Sequence, residues 1–137
     1  VFGLKDLQQC AVVRTMVESL NVPVKVHTVE TVRSPDGLAL SSRNALLTEV
    51  ERATAPRLYG FLTECAESLR TGNMDVASAV ATARERLETS GFVVGYVALV
   101  DPKTMTELGA PRPGCRLIAA ASLGNVRLID NIDVKYC

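Results

Sequence analysis

The chain's 137 residues suffice for one modest core, or for a small domain together with part of another. Its 15 Lys and Arg balance 15 Asp and Glu, which excludes a global field drawing it to nucleic acid or an anionic membrane. No run approaches the roughly 20 apolar residues of a membrane-spanning helix, and no basic-then-apolar segment opens the sequence. An anion must therefore be met by a local cluster. Cys10, Cys65, Cys115 and Cys137 are far apart, form no C-x-x-C pair, and have only His27 as a histidine partner. That spacing argues against a zinc site, and the apolar content argues against a disulfide framework. A reduced, cytoplasmic protein is expected, with no metal held by the chain itself.

Val1-Phe2-Gly3 reads as the tail of a buried strand. Leu7, Ala11, Val13, Met16, Val17 and Leu20 then recur near helical spacing, and Asn21 and Pro23 stop the helix. Val24 to Val29 alternates like a half-buried strand, so strand, helix and strand suggest a βαβ unit of a parallel sheet. Pro35-Asp36-Gly37 is a turn signal: Pro presets φ, Asp bonds back to the backbone, and Gly accepts φ > 0. A domain boundary is expected here, giving segments 1–33 and 34–137. Thr48 and Glu51 have the spacing of a capping box, and Pro56 either kinks the helix that follows or starts a second one. A further helix is expected from Asp75 as N-cap to Ser90, ended by Gly91. Val93–Val100, Arg116–Leu123 and Val126–Val134 read as strands, the last two joined by a Gly124-Asn125 turn. The second segment is thus α+β: helices, then a small antiparallel sheet.

Two clusters could carry chemistry. Gly3, Lys5, Asp6 and Gln9 fall where a strand end passes into a helix, the position at which open α/β sheets bind ligands and helix N-termini meet phosphate. Lys5 and Gln9 are four apart and Asp6 and Gln9 three apart, so a cation, a carboxylate and an amide can converge there. The same residues also suit a plain helix start, with Asp6 as N-cap and Gln9 as its capping-box partner. The second cluster runs from Asp36 to Asn44, where a glycine turn leads to Ser41, Ser42 and Arg43. Such a loop can cradle phosphate with N–H groups, hydroxyls and a guanidinium fork, or can simply cap the next helix. His27, in the alternating run, is expected to face solvent or a hydrogen-bonded core contact. Glu64, Glu67 and Glu85 read as solvated faces, and Tyr59, Phe61 and Leu62 as core or interface.

FGLKDLQQ, TVRSPDGLALSSRN and LGNVRLIDN, in this order and at these separations, resemble the pantothenate synthetases, the pantoate–β-alanine ligases. The resemblance spans essentially the whole chain, and the middle motif is its most specific part. It implies the end of a Rossmann-like nucleotidyltransferase domain over 1–33 and a smaller α+β lid over 34–137. It further implies a homodimer and a reaction in which ATP and pantoate give pantoyl adenylate, which β-alanine converts to pantothenate and AMP. ATP is then a substrate and Mg²⁺ its companion ion. By the same resemblance Gly3, Lys5 and Asp6 touch the nucleotide, with Asp6 toward the ribose and Lys5 toward the phosphates. Gln9 binds pantoate, the Val32 backbone meets adenine, and Leu40, Ser41, Ser42 and Arg43 form the loop that closes on the triphosphate. Lys5, Ser41, Ser42 and Arg43 are the implied catalytic group. Leu4 departs from the charged residue expected before Lys5-Asp6. The family's H-x-G-H element is absent from these residues, so the 137-residue chain alone is expected to make no pantothenate. The competing reading is a non-catalytic ATP-lid or dimerisation module.

Overall fold

The structure, a computed structural model, describes every residue except Val1, Leu4, Val26 and Cys137, with Phe2, Gly3 and Thr28 described through their backbone. The expected strand residues Val1 and Val26 and the departure at Leu4 therefore lie outside the described residues. Strand β1, Phe2–Gly3, pairs in parallel with β2, Thr28–Val29, and helix α1, Leu7–Ser19, connects them. Asp6 starts α1, its Oδ1 accepting the Gln9 N–H at 3.2 Å.

The helix buries Leu7, Cys10 and Ala11, whereas Met16 and Leu20 of the same apolar repeat are exposed. Val12, Met16 and Leu20, at i, i+4 and i+8, form a face with no described element against it. Of the strand expected over Val24–Val29, the described residues show the ladder at Thr28 and Val29, paired with Phe2 and Gly3, while Val24 is exposed. His27 is exposed, as expected.

The second part follows its local signals closely. Ser34 to Leu40 folds back on itself through Ser34 N–H to Leu38 O at 2.9 Å and Leu40 N–H to Val32 O at 2.9 Å. A 3₁₀ turn, Ser42–Leu46, leads to α2, Glu49–Thr54, which begins with the Thr48–Glu51 capping box. Pro56 resolves as the N-cap of a separate helix α3, Arg57–Thr71, followed by α4, Val76–Thr89, capped by Asp75 and ended by Gly91 at φ 104°. Strands β3, Val93–Val100, β4, Arg116–Leu123, and β5, Val126–Asp133, form an antiparallel sheet in the order β3-β4-β5.

One face of this sheet meets α3 and α4. Leu58, Leu62, Cys65 and Leu69 of α3 and Ala79, Ala83 and Leu87 of α4 pack on Leu99, Leu117, Ala119, Ala121 and Leu128. A bulge between Val94 and Tyr96 keeps Val94 and Val97 both on the helix side and turns Tyr96 outward. The register Tyr96–Ala120–Ile129 and Ile118–Asn131 then places Tyr96, Ile118, Ile129 and Asn131 on the opposite face. No helix of the described residues is long and apolar enough to cross a membrane.

Cys65 sits in the helix–sheet core, 4% exposed, and burial pushes its thiol up to about 11. The thiolate, the reactive form, is then about one part in a thousand at pH 8. Iodoacetamide at pH 8 is expected to leave Cys65 unmodified in the folded chain and to alkylate it once the chain is denatured. Peptide mass spectrometry reads this, and complete native-state alkylation of Cys65 would contradict it.

Candidate functional site

Three segments distant in sequence meet beside β5: the corner before α1, the loop from Arg33 to Arg43, and β5 itself. The loop is anchored first. The Arg33 guanidinium forks onto Asp130, donating from Nη1 to Oδ2 at 2.6 Å and from Nη2 to Oδ1 at 2.8 Å. It also donates to the Gly37 carbonyl at 3.1 Å and lies 4.0 Å from the centroid of the Tyr59 ring. The Asp130 side chain is 2% exposed and that of Arg33 18%. Planar pairing and stacking of this kind suit arginine and no other cation. On the outer edge of the loop, Asp36 accepts from Arg52 at 2.8 Å and from the Ser34 hydroxyl at 2.5 Å. Those two bonds hold its carboxyl well below the usual carboxylate range.

The corner is anchored next. Asn131, 2% exposed, donates from Nδ2 to the Lys5 carbonyl at 3.1 Å and accepts at Oδ1 from Arg116 Nε at 2.8 Å. Asp130 and Asn131 are neighbours on a strand, so they face opposite sides of the sheet. One holds the loop and the other holds the corner. The Lys5 ammonium reaches across to the Leu40 carbonyl at 3.2 Å, joining corner and loop directly. Burial draws Lys5 below the usual lysine value, and Arg43 adds to this, while Asp130 and Asp6 oppose it.

Between these anchors lies a cavity of about 280 Å³ lined by Lys5, Asp6, Arg43 and Arg127, with Tyr96, Ile118 and Ile129 among its apolar lining. Of the residues singled out from sequence, Lys5, Asp6 and Arg43 come together here. Leu40 adjoins through its carbonyl. Ser41 caps the 3₁₀ turn, accepting the Arg43 N–H at 3.2 Å, and Ser42 is exposed at the start of that turn. Gly3 ends β1, paired with Val29. Gln9 is exposed and is absent from the cavity lining. Val32 is 63% exposed and its carbonyl is taken by the Leu40 N–H. Sequence reasoning missed Asp130, Asn131, Arg127 and Tyr96. The alternation along β5, which sets Arg127, Ile129 and Asn131 on one face, was the available signal.

A second groove, of about 460 Å³, is lined by Arg33, Arg70, Arg116, Glu30, Glu67 and others. Most of its charge is already neutralised within the fold, since Arg33 pairs with Asp130 and Arg70 with Glu67. The smaller cavity, with its unmatched cations, is the better site for an anion.

The family model described as pantoate-beta-alanine ligase matches residues 1–133. The chain belongs to the pantoate–β-alanine ligase family. A pantothenate synthetase of Anaeromyxobacter dehalogenans is 48% identical over 131 residues, covering 96% of this chain and 45% of that protein. The crystal structure of pantothenate synthetase from Thermus thermophilus superposes with a TM-score of 0.91 at 43% identity, covering 99% of this chain and 49% of that one. The pantoate–β-alanine ligase of Francisella tularensis, solved with beta-gamma ATP and β-alanine, matches with a TM-score of 0.70 at 26% identity, over 99% of this chain and 43% of that one. The chain spans about half the length of the curated relatives it matches. Its α/β unit and following α+β part are thus the family's fold over the matched segment.

Proposed function

We propose that this chain is part of a cytoplasmic, homodimeric pantoate–β-alanine ligase, and that its cavity handles the phosphates of ATP. The observation that carries this reading is the meeting of Lys5, Asp6 and Arg43 at one strand-to-helix corner closed by the Leu40–Arg43 loop. Residues 1–33 act as the end of a Rossmann-like nucleotide domain and 34–137 as its lid. Gly3 and Asp6 face the nucleotide, the Val32 backbone meets adenine, and Gln9 meets pantoate.

The chemistry explains why such a corner is wanted. An amine does not displace oxide from a carboxylate. A pantoate carboxylate oxygen therefore attacks the α-phosphorus and pyrophosphate leaves. The β-alanine amine then attacks the acyl carbon, releasing AMP and a proton. Charge gathers on the α-phosphate and the departing pyrophosphate, and fixed cations placed there lower the barrier without reorganising. Lys5 and Arg43 supply that charge, with Ser41 and Ser42 as hydroxyl donors. The lid keeps water from the adenylate.

Mg²⁺ fits this arrangement as an ion carried by the nucleotide. Among the described residues no group of three His, Cys, Asp or Glu could cage a metal. Such an ion needs few protein ligands when phosphate oxygens surround it. When bound it neutralises phosphate charge.

Pantoate-dependent exchange of labelled pyrophosphate into ATP, measured in the complete polypeptide that carries this chain, tests the reading. Lys5→Ala is expected to lower the exchange rate about 10²–10³-fold. Folded protein without exchange would leave the alternative, a non-catalytic ATP-lid or dimerisation module. That alternative draws on Asp6 and Ser41, both of which make helix-capping contacts.

A further inference from the structure

The arginines of this fold divide sharply by how they are used. Arg33, Arg52, Arg86 and Arg116 each donate to a side-chain oxygen at 2.5–2.8 Å. Arg57 donates to the Ser90 hydroxyl, and Arg70, Arg84 and Arg112 pair with Glu67, Glu88 and Asp101. Arg43 and Arg127 are different: among the described residues neither guanidinium has a hydrogen bond or an ion pair. Both line the cavity that holds Lys5. The two guanidinium groups left without a partner thus share one cavity with a half-buried ammonium.

The carboxylates nearby do not cancel them. Both oxygens of Asp130 are occupied by Arg33, at 2.6 and 2.8 Å. Asp6 spends one oxygen on the Gln9 N–H. Arg127 reaches the cavity because the β4–β5 register pairs it with Ser122, two residues from Ile129, on the face opposite α3 and α4. Three cations therefore come from three elements: Lys5 from the corner before α1, Arg43 from the 3₁₀ turn, and Arg127 from β5. A ring of separate positive charges around about 280 Å³ suits a compact, multiply charged anion. A single carboxylate would leave two of the three unmatched, and a guanidinium fork matches two phosphate oxygens at once.

We infer that Arg127 is a third phosphate-binding residue of this site, gripping the pyrophosphate portion of the nucleotide opposite Lys5 and Arg43. This rests on the reading of the cavity as the nucleotide's phosphate site. It gives the sheet a direct part in holding ligand, in addition to anchoring the corner and the loop.

Inorganic pyrophosphate is the probe, titrated calorimetrically into the complete polypeptide that carries this chain and into its variants. The wild type is expected to bind. Arg127→Ala is expected to weaken binding about ten- to a hundredfold, the range for losing hydrogen bonds to a charged group. Arg127→Lys should recover part of that loss, since charge returns without the fork. Arg57→Ala, whose guanidinium lies on Ser90, should bind as the wild type does. The Arg127 side chain is exposed, so circular dichroism of its variants should match the wild type. If Arg127→Ala binds normally while Lys5→Ala does not, the role of Arg127 is overturned and the phosphate site stands. Binding indifferent to Lys5→Ala, Arg43→Ala and Arg127→Ala alike, or no binding by the wild type, overturns both.

Discussion

Replacing Asp130 by alanine is expected to destabilise the chain by about 3–5 kcal/mol, the range for removing one member of a buried ion pair. The carboxylate is 2% exposed and takes two hydrogen bonds from Arg33, so its loss leaves a largely buried guanidinium with two carbonyl acceptors and no counter-charge in place of the carboxylate. The damage should spread, because Arg33 also stacks on Tyr59 and holds Gly37. Urea unfolding monitored by circular dichroism measures the loss. The double replacement Arg33→Met with Asp130→Leu should recover much of it, since a packed apolar pair often matches a buried ionic one. A loss under about 1 kcal/mol for Asp130→Ala would place this pair with weak surface pairs.

Gly37→Ala is expected to cost about 2–3 kcal/mol, from backbone strain and from contact. Gly37 has φ +97°, a conformation that side chains with a Cβ rarely adopt. An added Cβ would lie 2.7 Å from Cδ2 of Tyr59 and 3.4 Å from its Cγ, so the ring as a whole would have to move. That ring carries Arg33, and the cost is therefore expected to be less than additive with Asp130→Ala. A double-mutant cycle on the unfolding free energies reads both statements. Simple additivity would show that Tyr59 yields without disturbing Arg33.

The elements that sequence reasoning located well are those whose signals act over three or four residues. Thr48 with Glu51, Asp75 with Ser78, Gly91 and the Gly124-Asn125 turn each specify local geometry through neighbours in the chain. The strand expected over Val24–Val29 is met in part, at Thr28 and Val29, for the complementary reason. Alternating valines state a preference, and a ladder also needs a partner, which among the described residues is Phe2 and Gly3. The exposed stripe Val12-Met16-Leu20 shows the same limit, because periodicity says which face is apolar and not what meets it.

The candidate site divides in the same way. Lys5 with Asp6, and the Leu40–Arg43 loop, stand out as local clusters. The bonds that assemble them do not: Arg33 and Asp130 are 97 residues apart, and Asn131 and Lys5 are 126 apart. No spacing rule links such positions, and only the folded register of β5 brings them together. The local residues carry two readings even with their contacts known. Asp6 and Ser41 make capping bonds, and Asp6 also lines the cavity with Lys5 and Arg43.

The facing of Asp130 and Asn131 makes the short turn at Gly124-Asn125 more consequential than its length suggests. That turn sets which β5 residue stands opposite which residue of β4. Lengthening it by one residue would shift the strand by one step and exchange the two sides. A carboxylate would then meet the Lys5 carbonyl, two acceptors with no proton to share, and the apolar side chain of Ile129 would meet the Arg33 fork. Arg127 would turn from the cavity toward the helices in the same step. A change of one in the parity of a surface turn would thus undo loop, corner and cation ring together, although the altered residue touched none of them.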